Sequence, residues 1–99
     1  VAFALTWSDE SSEDLSQLRT YIARDSPTYA DDFVLRVIVA AESLTEMPEK
    51  GRVVPETRDP TLRELIVGNY RLVYRIRSNV IEIVGVIHGA RLLPERDAW

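Results

Sequence analysis

The chain contains no cysteine, which excludes both disulfides and thiolate metal sites. It has a single histidine, His88, with no second histidine and no carboxylate pair at ligand spacing, so the usual donor sets for zinc and its neighbours are missing. No run of about 18 apolar residues occurs, so no segment is expected to cross a membrane as a helix. The opening VAFALTW is too short, and too poor in basic residues, for a secretion signal, and reads as a first strand. Repeats and low-complexity tracts are absent as well. These absences suit a cytoplasmic protein that needs neither metal nor cofactor.

What is present is one domain of 99 residues with 45% hydrophobic content, enough for a thin core that buries roughly two-thirds of the unfolded surface. The net charge of −4 hides an asymmetry. Residues 1–49 hold ten acidic groups against three arginines, a net of −7, whereas residues 50–99 hold nine basic against six acidic, a net of +3. Overall acidity argues against direct DNA binding by the chain alone, because phosphate neutralisation drives such binding. A local anion site on the basic half remains compatible with it.

Residues 1–7 alternate Phe3, Leu5 and Trp7 against smaller side chains, as a strand does. Ser8 then stands where a helix N-cap is wanted, followed by Asp9, Glu10, Glu13 and Asp14, of the sign the helix dipole favours. Leu15, Leu18 and Ile22, with Tyr21 beside them, form a stripe at helical spacing. Ser26-Pro27 ends that helix and caps a second, whose apolar positions are Ala30, Phe33, Val34, Val37, Ile38, Ala41 and Leu44. Residues 8–47 thus read as a helical hairpin, with Tyr21, Tyr29, Phe33 and Trp7 assigned to the core. Residues 48–61 lack a period and read as a loop. Residues 62–91 read as a three-stranded meander over about 62–67, 70–77 and 80–88, with Gly68-Asn69 and Ser78-Asn79 as two-residue turns. Residues 92–99 are a charged tail, with Trp99 either docked or free. The order β-α-α-β-β-β predicts an α+β fold, the hairpin packed on one face of a small antiparallel sheet.

Period-2 alternation assigns Tyr70, Leu72, Tyr74 and Ile76 to one face of the middle strand, and Arg71, Val73, Arg75 and Arg77 to the other. On the last strand it assigns Ile81, Ile83 and Ile87 to the inner side, and Glu82, Val84, Val86 and His88 to the outer. The outer face is therefore expected to carry arginines, pairing across the turn with Glu82, together with Val73, Val84 and Val86 facing solvent. Arg63 and Glu64 are expected to bridge one another or to join a site.

An ordered set of residues resembles the RelE/ParE superfamily of toxins from bacterial type II toxin–antitoxin modules. It comprises Trp7-Ser8, Tyr21-Ile22-Ala23, Asp25-Ser26-Pro27, Ala30 with Phe33, Pro48, Gly51-Arg52, Pro55-Glu56, Leu62-Arg63-Glu64-Leu65, Tyr70-Arg71-Leu72-Val73-Tyr74-Arg75 and His88-Gly89-Ala90-Arg91. RelE-like members of that superfamily cut mRNA in the ribosomal A site, whereas ParE-like members inhibit DNA gyrase. Arg71 and Arg91 match phosphate-holding arginines of the nucleases. The nucleases' lysines are replaced here by Leu62, Arg63 and Glu64, and their C-terminal tyrosine by Asp97. The resemblance therefore implies the ParE branch, a gyrase inhibitor rather than an enzyme. It also implies a cognate antitoxin whose disordered C-terminal segment wraps the toxin into a hetero-oligomeric complex. Arg63, Arg71, Val73, Arg75, Arg77, Val84, Val86 and Arg91, with the groove beside the hairpin, are the expected contacts for antitoxin or target. The runner-up is a ribosome-dependent endoribonuclease with Glu64, Arg71, His88 and Arg91 as base, clamp, acid and clamp, which requires Arg71 and His88 on one face. A third reading is a toxin-like fold that has lost activity and only binds its partner.

Overall fold

The computed structural model describes residues 2–96 and residue 99. Its elements are β1 (Ala4–Trp7), α1 (Asp9–Ala23), α2 (Pro27–Ser43), β2 (Arg52–Val53), β3 (Leu62–Val67), β4 (Tyr70–Arg77) and β5 (Val80–His88). Both helices start where the capping residues predict. The Ser8 and Ser26 hydroxyls accept from the Ser11 and Tyr29 amides, each at 3.1 Å, and Pro27 takes the first helical position of α2. The β3–β4 turn uses Gly68 at φ +59°, a conformation glycine adopts without steric cost. In the β4–β5 turn Ser78 takes φ +49° instead of a glycine.

The strands form one five-stranded sheet in the order β1-β5-β4-β3-β2. The expected element order holds, and two features enlarge it. β1 runs parallel to β5, so the sheet is mixed, and β2, inside the expected loop, pairs antiparallel with β3. The helices cover one face. Phe33, Val37 and Ala41 of α2, with Leu44 at its C-cap, meet Val67, Leu72, Tyr74, Ile81, Ile83 and Val86 of the sheet in the main core. Each large apolar side chain buried there contributes about 1.5–3 kcal/mol. Tyr21 and Tyr29, expected inside, lie on the surface.

The opposite face is also covered. Val54, Leu62, Val73 and Val84 are buried there, under Leu93 and the Trp99 ring. The expectation that Val73 and Val84 meet solvent is thus overturned, since loop 48–61 and the tail form a third layer.

β5 carries a bulge. Val73 pairs with Gly85, but Tyr74 pairs with Ile83, leaving Val84 as the extra residue. The inserted residue reverses the facing of everything after it. Val86 and His88, expected outside, turn to the helix face, and Ile87, expected inside, pairs with Arg71 on the outer face. The backbone groups around the bulge find side-chain partners. The Ile83 carbonyl accepts from the Ser11 hydroxyl at 2.9 Å, the Val86 amide donates to Asp14 at 3.0 Å, and the Val84 carbonyl accepts from Arg96 at 2.9 Å. Arg96 also pairs with Asp14 at 2.7 Å.

Candidate functional site

Arg71 lies on the outer face near the start of β4, the middle strand of the sheet, with 5% of its side chain exposed. Its Nε donates to Glu64 Oε1 at 2.6 Å, while Nη1 and Nη2 donate to the Glu56 carboxylate at 2.8 and 2.6 Å. Nη1 also reaches the Arg91 carbonyl at 3.0 Å. Glu64, with no side-chain exposure, gives its second oxygen to Arg52 at 2.7 Å. The tail seals the group, because the Leu93 amide donates to Glu56 at 2.9 Å. Four of the five N–H donors of Arg71 are therefore answered inside the protein, two of them by one carboxylate. The Arg71 guanidinium holds Glu56 at about 2, well below the usual carboxylate range, and the two glutamates raise Arg71 in turn.

Arg75 is engaged in the same way, with Asp59 at 2.8 Å, the Thr61 hydroxyl at 2.8 Å and the Trp99 main-chain oxygen. Its guanidinium, with help from Thr61, lowers the Asp59 pKa. Glu82, opposite Arg75 in the β4–β5 pairing, is not the partner. Arg77 is exposed and carries no ion pair among the described residues.

Arg63 faces the helix side opposite Tyr74 and donates to the Pro60 and Gly51 carbonyls at 3.0 and 2.9 Å. The expected bridge to Glu64 is ruled out because consecutive strand residues point to opposite faces. Tyr74 is fully buried, accepts from the Gly51 amide and donates to the Pro48 carbonyl, and burial raises its pKa.

His88 lies on the other side of the sheet from Arg71, its ring edge-on to Tyr70 at 5.3 Å. Its Nδ1 accepts from the Ala90 amide at 3.1 Å. The acid–base constellation of Glu64, Arg71, His88 and Arg91 is accordingly not assembled. Glu64 and Arg71 meet, but they neutralise each other in the interior, and His88 is turned away by the bulge. Arg91 supplies only its carbonyl to the cluster, and its side chain is exposed. Asp97, set against the tyrosine of the nucleases, lies outside the described residues. No metal-binding cluster of His, Asp and Glu occurs among the described residues.

A different surface is open. Leu35, Val39 and Ile66 are 60%, 57% and 54% exposed and line a groove of about 550 Å³ between α2 and β3, with Arg36 and Lys50 at its margins. β2 covers only Arg63 and Glu64 of β3, so the edge from Leu65 to Val67 has no strand beyond it. The period-2 pattern points to residues of the meander and gives no weight to Leu35 and Val39. They stand outside the buried stripe of α2, and their excess apolarity was the available signal.

Comparison with known proteins places this geometry. Residues 5–93 match the family model described as ParE toxin of type II toxin-antitoxin system, parDE. Over 89 residues the chain is 38% identical to Toxin RelE2 of Caulobacter vibrioides, covering 89% of this chain and 97% of the relative. It is 31% identical over 93 residues to the putative toxin Y4kP of Sinorhizobium fredii, covering 92% and 93%. Its fold is that of a chain from the chromosomal ParDE system of P. aeruginosa, with TM-score 0.72, 19% identity, and 88% and 96% covered. It also matches a chain of the toxin–antitoxin complex RelBE2 from Mycobacterium tuberculosis, with TM-score 0.65, 23% identity, and 92% and 95% covered. The chain belongs to the ParE toxin family of type II toxin–antitoxin systems, within the RelE/ParE superfamily.

Proposed function

We propose that this toxin acts in the cytoplasm as a protein inhibitor of DNA gyrase, not as a nuclease, and that a cognate antitoxin neutralises it. The observation that carries the reading is the state of Arg71. A phosphate clamp must present its guanidinium to the substrate, but this one is buried and shared between Glu56 and Glu64. With His88 across the sheet, no acid stands beside it. Inhibition by surface contact requires neither group.

The antitoxin's segment is assigned to the groove between α2 and β3. Its exposed Leu35, Val39 and Ile66 suit an amphipathic helix, the open edge of β3 suits an added strand, and Arg36 and Lys50 favour acidic flanks. Similarity to a chain solved within a toxin–antitoxin complex supports such a partner.

The ribonuclease reading retains one supporting observation, the 38% identity to a relative named RelE2. One experiment separates the two. Purified toxin is added to a gyrase supercoiling assay and, in parallel, to coupled translation with primer-extension mapping of the mRNA. Loss of supercoiling with intact message is expected. Message cut in the ribosome with supercoiling untouched would instead establish the nuclease.

A further inference from the structure

Aromatic rings gather at the end of the molecule formed by the α1–α2 turn, the β3–β4 turn and the close of β5. Tyr21 and Tyr29 are 63% and 53% exposed. Tyr70 packs on buried Phe33 with ring centroids 4.8 Å apart and holds His88 edge-on. Burial raises the Tyr70 pKa, and the neighbouring Tyr21 and Tyr29 add to the rise. Arg24 stands over the Tyr21 ring at 5.8 Å. Tyr21, His88 and Arg91 share the wall of a cleft of about 370 Å³.

The charges at this end are unbalanced. Neither Arg24 nor Arg91 has an ion-pair partner among the described residues, and Asp14, the cleft's carboxylate, is occupied by Arg96. Because His88 Nδ1 accepts from Ala90, the neutral ring carries its proton on Nε2, a spare donor on an exposed side chain. Tyrosine side chains turn about only two angles and lose little freedom on binding, and tyrosine with arginine is enriched in protein-interface hot spots. At that exposure, burial in the core does not account for Tyr21 and Tyr29.

We propose that this end is the surface that grips the toxin's target, taking a carboxylate-bearing protein loop against Tyr21, Tyr29, His88 and Arg91, apart from the antitoxin groove. Nucleic acid also stacks on aromatic rings, but the helices bearing both tyrosines belong to a half of net charge −7. The two local cations, Arg24 and Arg91, are enough to meet a few carboxylates and too few to neutralise a polyphosphate against that field. The inference rests on the reading of the chain as an active toxin directed at a protein.

The test uses the full chain with Tyr21→Ser/Tyr29→Ser and, separately, Arg91→Glu, both at exposed positions. Growth arrest is measured on induction without antitoxin, and antitoxin affinity and thermal melting are measured in vitro. Each variant is expected to lose about tenfold or more of its arresting potency, as hot-spot truncation does, with antitoxin affinity and melting unchanged. Arrest at wild-type potency overturns the proposal, and so does a parallel loss of antitoxin affinity, which would assign the face to the antitoxin. Wild-type binding to a fluorescein-labelled single-stranded oligonucleotide, abolished by the same substitutions, overturns the protein partner. Growth arrest reports on this surface whatever the target. A wild-type chain that arrests growth but leaves supercoiling intact therefore refutes the gyrase reading alone.

Discussion

At the scale of single residues, Arg71 decides most. Its pairing with Glu64 is dry, and a buried ion pair with one partner removed leaves an uncompensated charge in the interior. Arg71→Ala is expected to lower stability by about 3–5 kcal/mol in urea titration. Any loss of toxicity in that variant then reports on folding before it reports on a site. Glu56 adds a pH dependence of definite sign. Its folded pKa of about 2 lies below the ordinary 4.5, so the native state favours the carboxylate. The stabilisation is complete above the ordinary value and fades as pH falls through about 2. Glu56→Gln is expected to melt below wild type near neutrality, with the gap closing as the buffer is taken toward pH 2. A gap that held constant over that range would contradict the assignment.

At the scale of elements, the bulge in β5 and the tail over it govern which chemistry meets which. The extra residue sends Val86 and His88 to the helix side and brings Gly85 under the Trp99 ring. A Cβ at position 85 would stand 2.6 Å from that ring, so the tail packs this closely only on glycine. Gly85→Ala is expected to cost about 1–3 kcal/mol by overpacking and to shift Trp99 fluorescence in a Trp7→Phe background. Unchanged emission would mean that the tail does not dock there in solution. Asp14 is the second support of this region. Asp14→Ala strands the Val86 amide and leaves Arg96 only the Val84 carbonyl and the longer contact to Glu10, an expected loss of about 1–3 kcal/mol by chemical denaturation.

At the scale of the whole molecule, the sheet is a wall with two covered faces, and binding is left to its edge and its end. The groove between α2 and β3 leaves Leu35, Val39 and Ile66 more than half exposed. Leu35→Glu with Val39→Glu is expected to weaken antitoxin binding by about tenfold or more in calorimetry while the melting temperature holds. Affinity equal to wild type would move the antitoxin elsewhere. Arg71, Arg75 and Val84 cannot serve this test, because all three are engaged inside the third layer.

Local chemistry was enough for the sequence alone to determine the helix caps, the two hairpin turns, the strand spans of the meander and the order β-α-α-β-β-β, since each depends on neighbours within a turn or a period. The resemblance to the toxin superfamily rested on the same ordered residues, and the family match agrees with it. Tertiary structure alone decided what the arginines do. Whether Arg71 faces a ligand or a glutamate depends on Glu56 fifteen residues away and on a tail that folds back across the sheet. Whether His88 joins it depends on a single inserted residue, because a period of two turns every later side chain over when one residue is added.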